Sequence, residues 1–217
     1  MKRLIATTLL TVTVGTYAGV LHNAPYEVCF TPGGQCTDKI VSAINSAEST
    51  IDVQAYGFTS ASIVKALLQA QKRGVKVTAI VDKSNATHTY SAITVLMNNH
   101  IPVMIDSKVA IAHNKVMIID DKTVVTGSFN FTKSAQTRNA ENVLIITDQQ
   151  LAQAYLNNFN SRLKVSVTPS QYCMTSTKCK LTSLANDAWQ TTKTTGESLY
   201  NKAGKLWHEN FGGTSKK

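Results

Sequence analysis

TIDVQAYGFTSASIVKALLQAQKRGVKVTAIV, residues 50–81, changes its period twice. Thr50–Tyr56 is β-rich and reads as a strand. Ser60–Arg73 follows with helical spacing: Ser60 stands at the N-cap, Ile63, Leu67 and Ala70 share one face, and Gly74 supplies the stop. Val75–Val81 then returns to the strand pattern. Strand, helix and strand at these lengths predict a βαβ unit with parallel strands. Outward from it, Thr89–Asn98 reads as a further helix and Pro102–Ile105 opens another strand. The expected fold class is therefore α/β: a mixed, largely parallel central sheet flanked by helices, with a helical C-terminal appendage.

The rhythm changes beyond residue 110. Lys115–Ile119 and Thr123–Gly127 are β-rich runs joined by Asp120, Asp121 and Lys122, a hairpin signal. Asn142–Thr147 is a further strand. Gln149–Leu163 is an amphipathic helix with Leu151, Ala154, Tyr155 and Phe159 on its apolar side. Pro169 marks the expected end of the core domain.

The hairpin carries the chemistry. Side chains two apart on a strand share a face. His113 and Lys115 therefore project together where one strand starts, and Ser128 and Asn130 can do so where the next one ends. The pairing gathers an imidazole, a cation, a hydroxyl and an amide, with no carboxylate to repel a phosphate, while Gly127 admits a close approach. Donors around a titratable imidazole suit a phosphoryl oxygen anion. Asp120 opens the turn, which assigns it a structural part. His88 and His100 stand too far from other ligand types to suggest a metal site.

At these residues the chain resembles the phospholipase D superfamily, whose signature is H-x-K-x4-D-x6-G-S-x-N. His113, Lys115, Asp120, Gly127, Ser128 and Asn130 match it in full. Residues 25–168 are similar to the small, plasmid-encoded, exported bacterial endonuclease type of that superfamily. The resemblance implies phosphodiester hydrolysis with no metal and no cofactor, through a phosphohistidine on His113. Lys115 and Asn130 would hold phosphate oxygens, Ser128 would support the site, and Glu141 would accept a hydrogen bond from His113. It also implies a homodimer, because members with two motifs build one site from both and this chain has one. The chemistry asks for the same thing: one imidazole must be neutral to attack while another must be protonated to release the alcohol.

The bulk numbers bound the substrate. With 217 residues, 43% hydrophobic and 16% charged, the chain is globular rather than disordered. Lys and Arg outnumber Asp and Glu by 22 to 13, and the formal charge is +9. Such a balance favours polyanions, either nucleic acid or an anionic membrane surface. A non-specific nuclease acting on the DNA backbone (or on RNA) is the leading expectation, and a phospholipase D cleaving lipid headgroups is the alternative.

Residues 1–24 read as a signal peptide. Lys2 and Arg3 precede an apolar run from Leu4 to Leu21, with cleavage after Ala18 or Ala24; an uncleaved anchor is the competing reading. Losing Lys2 and Arg3 takes two charges from +9 and leaves +7. Periplasmic or secreted localisation follows. Four cysteines in two short intervals, Cys29 with Cys36 and Cys173 with Cys179, suit two local disulfides, with zinc as the alternative. Residues 169–217 keep an apolar helical stripe and, from residue 178, carry seven lysines against three acids. This basic extension is expected to pack on the core or the partner subunit, or else to grip nucleic acid or a membrane surface.

Overall fold

A computed structural model describes residues 18–21, 23–86 and 91–176. Most of the expected signal peptide, His88, Cys179 and the basic extension from residue 177 onward lie outside the described residues.

The described chain runs β1 (Tyr26–Thr31), α1 (Cys36–Asn45), β2 (Thr50–Ala55), α2 (Ala61–Lys72) and β3 (Lys76–Asp82). A 3-10 turn (Lys83–Ala86), α3 (Ile93–Asn98), β4 (Val103–Asp106), β5 (Lys115–Ile119), β6 (Thr123–Gly127) and α4 (Lys133–Thr137) follow. The last elements are β7 (Glu141–Thr147), α5 (Gln149–Val165) and α6 (Pro169–Thr175). One seven-stranded sheet holds them in the order β1-β7-β6-β5-β2-β3-β4. The sheet is mixed, as expected, but its parallel share is smaller than the βαβ rhythm suggested. Only β2–β3 and β3–β4 pair in parallel, and the other four pairings are antiparallel. The reason is the β5–β6 hairpin: it inserts β5 against β2 and carries β7 and β1 on antiparallel beyond it.

Cross-strand register divides the sheet into two faces. Ile51, Val53 and Ala55 of β2 oppose Ile119, Met117 and Lys115 of β5, and point to the same side. Helices α1 and α2 cover that side through Ile40, Ile44, Ile63, Leu67 and Ala70, all at 0% exposure. Each fully buried isoleucine or leucine among them contributes roughly 1.5–3 kcal/mol. Helix α2 runs from its N-cap, Ser60, to its C-cap, Arg73, and Gly74 at φ +95° ends it where the sequence predicted. Helix α5 covers the opposite face through Ala152 and Phe159, with Leu151, Tyr155, Leu156 and Leu163 partly buried. Ala152 rather than Ala154 thus completes its stripe. Arg162 fixes α5 to the end of β4: its Nε and Nη2 each lie 2.7 Å from the Asp106 carboxylate.

Strand β1 and helix α1 have no counterpart in the sequence reading, although the cysteine pair that links them does. Cys29 at the one is joined to Cys36 at the other by the expected disulfide. Cys173 is disulfide-bonded as well. The chain does not leave the core at Pro169. Thr168 and Gln171 form a capping box that starts α6, and Tyr172 and Cys173 pack against the core cluster.

Candidate active site

The site lies at the end of the sheet where β2 and β3 finish and β5 begins. In α/β sheets the carboxyl ends of parallel strands are the usual ligand position. His113 precedes β5 and is exposed, whereas Lys115, its first residue, is only 7% exposed. The Lys115 ammonium lies 2.9 Å from Nδ1 and 3.0 Å from Nε2 of His113, and donates to the His113 carbonyl at 2.9 Å. Burial lowers the pKa of Lys115 from its ordinary value, and the negative charge of Glu141 opposes that shift.

The second half of the site comes from the end of β6. Gly127 has φ +145°, and a Cβ there would stand 2.2 Å from the Asn142 carbonyl oxygen. This backbone, open to glycine, turns Ser128 toward the neighbouring strand. Ser128 Oγ donates to Glu141 at 2.5 Å and accepts from the Asn142 N–H at 3.1 Å. Glu141 also accepts from Asn139 Nδ2 at 2.8 Å. Asn130 Oδ1 accepts from the Gly57 N–H at 3.3 Å, so the remaining group of this amide is the Nδ2 donor. Gly57 permits this approach, since an added Cβ would lie 3.3 Å from Asn130 Cβ, Cγ and Oδ1.

The sequence-derived residues therefore assemble as two contacting pairs, His113 with Lys115 and Ser128 with Glu141, coupled by the attraction between Lys115 and Glu141. Asn130 joins through Gly57, the neighbour of Tyr56. One expected contact is replaced. Glu141 bonds Ser128 and Asn139 rather than His113, because the Gly127 turn brings Ser128 to it, and the group beside the His113 ring is the Lys115 ammonium.

Asp120 stands at the far end of β5. Its carboxylate accepts from the backbone N–H groups of Glu48, Ser49 and Thr50 and from Ser49 Oγ, at 2.7–3.2 Å. Burial alone would raise its pKa, but these hydrogen bonds outweigh burial and hold it below the usual carboxylate value.

Three participants escaped the sequence reading: Tyr56, Asn139 and Asp82. The Tyr56 ring lies 4.5 Å from that of His113. Asp82, 3% exposed, accepts from the Ala112 N–H at 2.7 Å and so holds the segment leading into His113. Asp82 and Tyr56 both stand where a parallel strand ends, which was the available signal. Asn139 had none, because its place depends on the path of the loop after α4.

Imidazole, ammonium, hydroxyl and amide gathered at one sheet end are groups chemically able to bind and attack a phosphodiester. The chain belongs to the phospholipase D superfamily: residues 40–163 match the family described as cardiolipin synthase, PLD-like domain. It is a phosphodiesterase of that superfamily, a hydrolase. It is 50% identical to a phospholipase D of Rickettsia conorii over 142 residues, covering 65% of this chain and 71% of that one. It is also 31% identical to the mitochondrial cardiolipin hydrolase of Mus musculus over 134 residues, 62% of this chain and 60% of the relative. Among solved structures, it is similar to Nuc, a phospholipase D family member from Salmonella typhimurium. The TM-score is 0.64 and the identity 38%, over 67% of this chain and 97% of Nuc.

Proposed function

We propose that the chain is a metal-independent endonuclease that hydrolyses the nucleic-acid backbone without sequence preference, at a site completed by two copies. The pairing of His113 with Lys115 beside Ser128, Glu141 and Asn130 is the observation that carries this reading. A nitrogen of one His113 bonds to phosphorus. The P–O bond to the leaving alcohol breaks, and the protonated imidazole of the partner subunit's His113 gives that oxygen its proton. The same partner imidazole then takes a proton from water. The hydroxide oxygen bonds to phosphorus, the P–N bond breaks, and its electron pair returns to His113. Lys115 and Asn130 Nδ2 hold the non-bridging oxygens through both steps. The Ser128–Glu141–Asn139 chain, with Glu141 at its centre, holds this side of the site in place.

DNA is favoured over lipid by the likeness to Nuc along nearly all of its length, and exposed Lys108, Lys133 and Arg138 on the segments flanking the motif suit a phosphate backbone. Phosphatidyl headgroup hydrolysis is the second reading, supported by the relatives near 50% identity called phospholipase D. Export through residues 1–24 belongs to the same proposal.

Plasmid DNA and phosphatidylcholine vesicles, each incubated in excess EDTA with wild type and His113→Ala, test both readings. The expected result is DNA loss with the wild type alone. Lipid hydrolysis with intact DNA would move the assignment to phospholipase D, and DNA loss with both proteins would remove His113 from the mechanism.

A further inference from the structure

An exposed imidazole on a loop needs something to hold its ring at the angle of attack. Here that surface is aromatic. The Tyr56 and His113 ring planes meet at 51° with centroids 4.5 Å apart, and Lys115 Nζ lies 5.1 Å from the centre of the same tyrosine ring. One side chain thus touches both halves of the His-x-Lys pair.

Tyr56 is itself fixed from two directions. Its N–H donates to the Asn114 carbonyl at 2.9 Å, tying it to the residue between His113 and Lys115. Its carbonyl accepts from Asn85 Nδ2 at 2.6 Å, and that amide also donates to the Asp82 carbonyl at 3.1 Å. Asn85 and Asp82 are 4% and 3% exposed. Asp82 accepts from the Ser84 and Ala112 N–H groups at 2.8 and 2.7 Å, and Lys83 Nζ donates to the Val109 carbonyl at 2.9 Å. The end of β3 and its 3-10 turn therefore clamp the backbone of Tyr56 and the segment before His113 in one frame.

We propose that Tyr56 is a positioning residue for phosphodiester cleavage, its ring holding the His113 imidazole in the orientation for attack on phosphorus. The inference rests on His113 being the nucleophile. Tilted ring packing restricts rotation of His113, and reactions that depend on alignment lose rate steeply when a group is misplaced by about an ångström. The function belongs to the ring and its face; the phenolic hydroxyl is not part of it.

Steady-state hydrolysis of bis(p-nitrophenyl) phosphate separates this role from simple stability, because a small diester reaches little beyond the phosphate centre. Wild type, Tyr56→Phe, Tyr56→Leu, Tyr56→Ala and His113→Ala are compared, with thermal unfolding followed for each. Tyr56→Ala and Tyr56→Leu should lower kcat by about tenfold or more with KM within about threefold, and Tyr56→Phe should restore kcat. The His113 ring resonances in NMR should broaden or shift in the Leu variant and keep their wild-type positions in the Phe variant. If Ala fails to fold, the Leu and Phe variants decide. Unchanged kcat in folded Tyr56→Leu, or equal loss in Phe and Leu, overturns the proposal. Full activity in His113→Ala would overturn the underlying reading instead, which keeps the two failures distinct.

Discussion

Gly127→Ala asks most of a single residue. Its Cβ would meet the Asn142 carbonyl oxygen at 2.2 Å while its φ of +145° lies where side chains are disfavoured. The expected loss is about 3 kcal/mol or more of stability in urea unfolding, with activity falling further than the folded fraction. Asp120→Ala should separate the same two quantities in the opposite sense. It strands three backbone N–H groups at the start of β2, and should remove about 2–4 kcal/mol while folded protein keeps its kcat. The lowered pKa of Asp120 also sets a direction with pH. Its contribution is whole above the ordinary carboxylate value and is lost as pH drops through the lower folded value. Lys115 acts on activity rather than stability. Burial lowers its pKa below the ordinary 10.5, so kcat/KM should begin its alkaline fall below the range of a solvated lysine. In Lys115→Arg that fall should move to higher pH, whatever the loss in rate.

At the scale of elements, β2 deserves a pH test of its own. Asp52 faces away from the main core, and burial together with the Asp121 charge raises its pKa to about 6. A raised carboxylate favours the folded state most below its unfolded value, and that advantage is lost as pH rises through 6. Asp52→Asn should therefore raise Tm by about 2–4 °C at pH 8 and leave it nearly unchanged at pH 4. The elements legible in the sequence were those with a strong period. Lys115–Ile119 and Thr123–Gly127 fall where their β-rich composition and the intervening aspartates put them, since Asp120 and Asp121 adopt φ of +52° and +54°, as a hairpin turn requires. Strand β1 was not legible. Its Cys29 and Thr31 point inward while Tyr26, Val28 and Phe30 stay exposed, so its apolar residues mark the outer face and invert the usual cue. Tyr56 belongs with β1 in this respect: no spacing in the chain joins it to His113, and only the β2–β5 pairing does.

For the whole molecule, the signature residues could be found because they lie close together in sequence, while the frame that holds them could not, because it comes from distant segments. Thr31 Oγ donates to the carbonyls of Ala135 and Asn139, over a hundred residues away, and Gln136 accepts from the Thr37 N–H. The shared site is the expectation that most needs a measurement at this scale. When wild type and His113→Ala chains are unfolded together in equal amounts and refolded, random pairing leaves about one quarter of dimers with two intact histidines. Activity near one quarter of the all-wild-type value is expected, whereas one half would mean that each copy works alone. A last consequence concerns inheritance. Thr50, at one end of β2, donates its N–H to Asp120, and Tyr56, just past the other, donates its own to the Asn114 carbonyl. Strand β2 thus measures off the interval from His113 to Asp120. A single codon gained or lost within that interval would slide one anchor off its mark and turn alternate side chains to the wrong face. The fixed gaps that make the signature readable as text are therefore a copy, in one strand, of the length of its neighbour.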